Sequence, residues 1–196
     1  MSGDEAAIVL CGGLSRRMGR DKAGLPFGPE TLLERTVRLV REVVTEYVVA
    51  TREGAPLPGP HPMARDGGQG PLAGLAAGLR AVRAPLAFLT ACDAPLLKPA
   101  LVRRLLDLCR GRDAAVPLID GFHMATCAVY ARAALPVAER LLAAGRLRPL
   151  FLIEAVDARI VTPDELRDVD PGLDSFVNCN TPEQYAEALK RYTPPP

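Results

Sequence analysis

Near its start the chain reads Val9-Leu10-Cys11-Gly12-Gly13-Leu14-Ser15-Arg16-Arg17-Met18-Gly19-Arg20-Asp21-Lys22, and the fold follows from how this stretch is understood. Ala6 to Leu10 is a short apolar run, the mark of a buried strand. It empties into a loop with glycines at 12, 13 and 19, three arginines and a lysine. Nothing apolar supports this loop. Glycines let successive backbone N–H groups approach a ligand closely and point inward, and the cations add charge, so the physical candidate for the ligand is a polyphosphate. The spacing matches neither G-x-x-x-x-G-K-S/T nor G-x-G-x-x-G, which argues against a P-loop ATPase and against a dinucleotide-binding fold. A solvated basic turn is the competing local reading.

Outward from the loop, Glu30 to Val44 places Leu33, Val37, Val40 and Val44 at helical spacing, with Thr31 as a cap and Glu34 three residues on. Glu46 to Ala50 is a second strand. The order strand, glycine loop, helix, strand opens an α/β sheet protein. Residues 51 to 70 read as a long irregular connection, a length that points to ligand contact. Pro71 suits a first helical turn, and Leu72 to Leu79 is a helix of small residues. Gly74 and Gly78 cost it ~1 kcal/mol each relative to alanine, for which close approach of backbone or ligand compensates.

Pro85 to Asp93 carries a nearly continuous apolar run, as expected of a central parallel strand covered on both faces. It ends in Asp93. Ligands of open α/β sheets sit outside the carboxyl ends of the strands, which puts Asp93 at the same edge as the Gly12 loop. Pro99 to Leu108 is a helix. Further on, Ala114 to Ile119, the turn Asp120-Gly121 and His123 to Tyr130 predict a hairpin that adds an antiparallel element. Ala131 to Ala144 is a helix whose start Pro136 marks, Arg148 to Ala155 a short helix and Ala158 to Val161 a short strand. Asp174 to Pro182 is an extended polar segment, followed by a helix from Pro182 to Tyr192 with Thr181 as N-cap and Gln184 at N3.

The 196 residues, 48% hydrophobic, are enough for one core, so residues 1–196 are expected to form a single domain with frayed ends at about 1–5 and 193–196. With 5% aromatic content and no tryptophan the core must be aliphatic. A formal charge of +1 gives no basic field for nucleic acid or a membrane surface. Cysteines at 11, 92, 109, 127 and 179 are odd in number and contain no C-x-x-C, which suits a reduced compartment. No signal-like or membrane-spanning stretch is present, and a cytoplasmic protein is expected.

Lys22 is a mobile point charge suited to a triphosphate oxygen and to charge developing on departing pyrophosphate. Arg17 has a planar fork for another phosphate oxygen. Asp93 suits Mg²⁺, which takes one or two carboxylates together with phosphates and water; an ordinary helix cap is the alternative. Asp66 is open to three roles: binding metal, bonding a nucleoside or capping a turn. His61 and His123 are isolated and form no zinc constellation. Ser15 lacks the G-x-S-x-G surroundings of a nucleophile, and Cys92 at a strand end reads equally well as a buried thiol.

Four segments in order closely resemble the molybdenum cofactor guanylyltransferases, within the nucleotidyltransferases that carry an N-terminal glycine-rich pyrophosphorylase signature. They are Leu10-Cys11-Gly12-Gly13 with Ser15, Arg17-Met18-Gly19, Asp21-Lys22, Leu25 and Thr31 to Arg35; Asp66 with Gly70-Pro71-Leu72-Ala73-Gly74; Cys92-Asp93-Ala94-Pro95; and Phe176-Val177-Asn178-Cys179-Asn180-Thr181-Pro182. The resemblance implies a three-layer α/β/α Rossmann-like domain with a mostly parallel sheet. It implies transfer of GMP from GTP to the terminal phosphate of molybdopterin, with release of pyrophosphate. Carried over by residue, Leu10, Cys11, Gly12 and Gly13 contact the guanine nucleotide, Lys22 its phosphates and Asp66 the nucleoside. Asp93 holds Mg²⁺, and Asn178 and Asn180 lie toward molybdopterin. Cofactor-delivery or molybdoenzyme chaperone proteins are the implied protein partners.

The chain departs from the family pattern at Cys11, which replaces an alanine, and at Thr51-Arg52, where an asparagine is usual, so that one nucleoside contact is expected either to be altered or to be supplied by Thr51. The surroundings of His123 match only loosely. Gly12-Gly13 favours guanine over cytosine. The alternatives are a cytidylyltransferase for the same cofactor, another small-acceptor nucleotidyltransferase, and a nucleotide-binding regulatory module without turnover.

Overall fold

The computed structural model describes residues 3–11, 22–55 and 57–192. Its elements run β1 (Glu5–Leu10), β2 (Pro26–Phe27), β3 (Glu30–Thr31), α1 (Leu32–Arg41), β4 (Glu46–Arg52), β5 (Met63–Asp66), α2 (Pro71–Ala81), β6 (Leu86–Ala91) and α3 (Pro99–Leu108). They continue β7 (Ala114–Ile119), β8 (Phe122–His123), β9 (Ala128–Ala131), α4 (Leu135–Ala143), α5 (Pro149–Ala155), β10 (Ala158–Val161) and α6 (Pro182–Lys190).

The main sheet has the order β10-β7-β9-β6-β1-β4-β5, with β8 attached to β7. β1 lies at its centre, parallel to β4 on one side and to β6 on the other. β5 continues the parallel run beyond β4, and β10 pairs parallel with β7. β9 runs antiparallel between β6 and β7. β2 and β3 form a small separate hairpin.

Strand alternation builds the layers. Ala7 and Val9 of β1 point to the face covered by α1 and α3, where they pack with Leu33, Val37, Leu101 and Leu105. Ala6 and Ile8 point to the other face, against Leu72, Leu75 and Leu79 of α2, with α4 and α5 alongside. The result is a mostly parallel sheet between two helical layers, a Rossmann-like arrangement. The carboxyl ends of β1, β4 and β6 therefore emerge side by side. No helix among the described residues is long and apolar enough to cross a membrane.

Local chemistry explains why the helices start where they do. Thr31 and Glu34 form a reciprocal capping box at α1: the Glu34 N–H donates to Thr31 Oγ1 at 3.2 Å and the Thr31 N–H to Glu34 Oε2 at 2.8 Å. These bonds to Thr31 hold the Glu34 carboxyl below its usual range. Gly74 and Gly78 set how closely α2 approaches β1. A Cβ at Gly78 would come within 2.5 Å of Ile8 Cγ2, and one at Gly74 within 2.6 Å of Leu10 Cδ2. The helix tolerates two glycines because the sheet occupies the space their side chains would take.

Three expectations need correction. The connection over 51–70 contains β5, an edge strand whose short Met63-Ala64-Arg65-Asp66 run buries only Ala64 and so carries no apolar signal. The hairpin expected over 114–130 is divided: β8 contributes two residues against β7, after which the chain turns and β9 enters the sheet between β6 and β7. At the N-terminus, the expected fraying does not reach Glu5. Glu5 is a buried member of β1, its carboxylate held by Arg103 at 2.5 Å and Arg110 at 3.0 Å. Residues 193–196 lie outside the described residues.

Candidate active site

The strand ends converge on a cleft of about 870 Å³. Its floor continues the central ladder by one residue: the Cys11 N–H donates to the Ala50 carbonyl at 2.8 Å and the Cys92 N–H to the Leu10 carbonyl at 3.0 Å. Past β6 the chain turns at Asp93, whose carbonyl accepts from the Cys179 N–H at 2.8 Å. That bond draws the polar segment before α6 across the end of the sheet. There the Gln184 side chain accepts from the Asn180 N–H at 2.9 Å, and Thr181 caps the helix. Opposite, Arg35 on α1 donates through Nε to the Pro95 carbonyl at 2.6 Å and fixes the far side of the Asp93 turn.

Lys22 joins these segments. Its Nζ lies 2.7 Å from Asp93 Oδ2 and 2.8 Å from Asn180 Oδ1. Lys22 and Asp93 are only 16% and 15% exposed, so little solvent screens the pair. Residues far apart in the chain, at the end of the glycine loop, the end of β6 and the start of α6, thus meet at one mouth of the cleft.

Leu10, Cys11, Lys22, Asp66, Gly70, Asp93, Asn178 and Asn180 all line the cleft. Gly12, Gly13 and Arg17 lie outside the described residues. Thr51 does not line it. Ala50 and Arg52 do, so alternation along β4 turns Thr51 to the opposite face, where it is buried. Asp66 caps its own turn, Oδ1 accepting from the Gly68 N–H at 2.7 Å. Gly70, at φ +97°, begins α2 with no side-chain cap, leaving the helix N-terminus facing the cleft.

Sequence reasoning missed Arg52, Glu53 and Thr126, which also line the cleft. The strand-end rule applied to β4 as it was to β6 finds Arg52; Thr126 sits in the turn between β8 and β9 and has no local signal. His61 is instead structural, set between the Tyr47 hydroxyl and the Pro58 carbonyl. Cys92 is buried beside Cys11. That neighbouring thiol and burial push its pKa well above the ordinary thiol value, as expected of a structural thiol at a strand end.

Asp93 is the carboxylate at the end of β6, and its Oδ2 is already engaged by Lys22, while Asp66 and Glu53 line the cleft on the β5 side. Among the described residues no group of three or more His, Cys, Asp or Glu is placed to hold a metal ion. This donor set suits an ion that brings most of its coordination as phosphate oxygens and water, which is how Mg²⁺ is commonly held.

A cleft at the carboxyl ends of a parallel sheet, with a paired lysine and aspartate in its lining, fits a nucleotidyltransferase. Comparison with known proteins narrows the class: residues 7–159 match the MobA-like NTP transferase domain, and the chain belongs to that family. A probable molybdenum cofactor guanylyltransferase of Methanosarcina mazei is 34% identical over 200 residues, covering 91% of this chain and 87% of that protein. One from Mycobacterium avium is 41% identical over 169 residues, covering 81% and 86%. Among solved structures, molybdopterin-guanine dinucleotide biosynthesis protein A from Archaeoglobus fulgidus superposes with a TM-score of 0.79 at 25% identity, covering 95% of this chain and 97% of that one.

Proposed function

We propose that the protein transfers GMP from GTP to the terminal phosphate of molybdopterin, forming the guanine dinucleotide form of the cofactor and pyrophosphate. The observation that carries this reading is the meeting of Lys22, Asp93 and Asn180 in the lining of a cleft of about 870 Å³ at the carboxyl ends of the parallel strands. The relatives' names support the choice of acceptor and base.

The acceptor phosphate is already an anion, so the reaction needs no dedicated general base. What the protein must supply is alignment of two mutually repelling anions and neutralisation of charge on the departing pyrophosphate. In this reading Lys22 provides the mobile charge, Asn180 sets its direction, and the N-terminus of α2 and the Gly67–Gly70 turn receive the nucleotide on the β5 side. Asp93 would hold Mg²⁺, which when bound supplies charge neutralisation on the phosphates. The buried thiols at 11 and 92 play no covalent part.

The test is product identity. Purified protein supplied with GTP, Mg²⁺ and molybdopterin should yield a species with the mass of the guanine dinucleotide cofactor, and none when molybdopterin is left out. A cytidylyl product from CTP in its place would move the assignment to that alternative.

A further inference from the structure

An ammonium group has three protons to donate, and two of those on Lys22 are already taken, by Asp93 Oδ2 at 2.7 Å and Asn180 Oδ1 at 2.8 Å. A triphosphate entering the cleft finds one proton of Lys22 free, but the lysine's charge stays neutralised by the Asp93 carboxylate until the phosphate draws it away. The aspartate is then left mostly buried, unpaired and facing a polyanion. A divalent cation arriving on the phosphates removes that penalty, because it can take the place at Asp93 that Lys22 gives up. The exchange therefore favours the metal-complexed nucleotide twice, by freeing the lysine and by satisfying the carboxylate.

We propose that Asp93 screens nucleotides for their metal: it withholds Lys22 from metal-free nucleoside triphosphate and releases it to one that carries a divalent cation. Asn180 is the positioning residue of this exchange. Its side chain accepts from Lys22 at 2.8 Å independently of Asp93, and its own backbone is fixed by Gln184 and by the adjoining Cys179 bond to Asp93. The inference rests on the nucleotidyltransferase reading of the cleft and adds to it a choice between two forms of one substrate.

The experiment is equilibrium binding of GTP, in EDTA and in Mg²⁺, to the wild-type protein, Asp93→Asn, Lys22→Met and the double variant, each checked for fold by circular dichroism. In EDTA, Asp93→Asn should bind GTP about fivefold tighter than wild type, the scale of releasing one partly exposed ion pair. In Mg²⁺ the order should reverse. The EDTA gain should shrink sharply in the Lys22→Met background, because the freed lysine is its source. A gain of equal size without the lysine would mean simple repulsion between Asp93 and phosphate, and would overturn the proposal. So would metal-free binding to Asp93→Asn that is no tighter than to wild type. Failure of the folded wild-type protein to bind either GTP or CTP in Mg²⁺ would instead overturn the nucleotide reading on which the proposal rests.

Discussion

The Cys179 N–H donates to the Asp93 carbonyl at 2.8 Å, and through this bond the segment before α6 becomes part of the site. Asn180 follows immediately, and Thr181 caps the helix that anchors it.

Thr181→Ala should therefore do two things. Loss of the cap should lower stability by about 1 kcal/mol, and loosening of Asn180 should raise KM for the nucleotide. Thr162→Ala removes a similar cap from a 3-10 turn remote from the cleft, and should lower stability alone. Denaturant melts and steady-state kinetics on both variants check this; equal KM values would contradict it.

Asp93→Ala and Lys22→Ala should each cut kcat/KM by about 100-fold or more, the scale of losing one preorganised electrostatic stabiliser of a transition state. Both side chains line the cleft and neither belongs to the hydrophobic clusters, so each variant should still fold. Full activity of Asp93→Ala in saturating Mg²⁺ would rule out its assigned role.

In most helices glycine to alanine is favourable by about 1 kcal/mol. Gly78→Ala should instead destabilise by about 1–3 kcal/mol, because the new methyl meets Ile8 in the centre of the sheet. Gly74→Ala should destabilise similarly and also raise KM for the nucleotide, since its methyl would press on Leu10 and lie 3.1 Å from Asp66 Oδ2, both at the cleft. A rise in melting temperature for either variant would contradict the packing argument.

Asp170 is fully buried and receives Lys98 Nζ at 2.6 Å together with the Asp174 and Ser175 N–H groups. Burial alone would raise its pKa; Lys98 and the Ser175 N–H outweigh burial and hold it below the ordinary 3.8. A depressed carboxylate contributes stability that is present above its unfolded pKa and lost as pH falls through the folded one. Lys98 is raised above 10.5, so its share persists through neutral pH and fades only as pH rises past the folded value. The wild-type protein should thus lose stability below about pH 4 more steeply than Asp170→Asn. Urea titrations at pH 7 and pH 3 measure the difference, and identical losses in the two proteins would contradict it.

Much of this architecture was legible in the sequence because it rests on strong local signals. The apolar run before Gly12, the Thr31-Glu34 cap, Pro71 and the run into Asp93 each specify one element, and strand ends of an α/β sheet share an edge. What was hidden depends on contacts between distant residues. β5 is short and half exposed, so only its pairing with β4 reveals it. Thr51, expected at the nucleoside from the family pattern, and Arg52, which lines the cleft, differ by one residue, and in a strand one residue changes the face. The support of the Asp93 turn by Arg35 joins α1 to the Pro95 carbonyl, and nothing near Arg35 in the chain announces it. Lys22 and Asp93 were each visible as candidates, yet their ion pair, and the place of Asn180 beside it, emerges only from the fold.

The most direct test of the proposed activity is acceptor-dependent pyrophosphate release in Mg²⁺, with GTP or CTP in parallel and with molybdopterin present or absent. The account predicts rapid release with GTP and molybdopterin together, and background release in the other three mixtures. Release with CTP and molybdopterin but not with GTP, or release from GTP that is indifferent to molybdopterin, would contradict it.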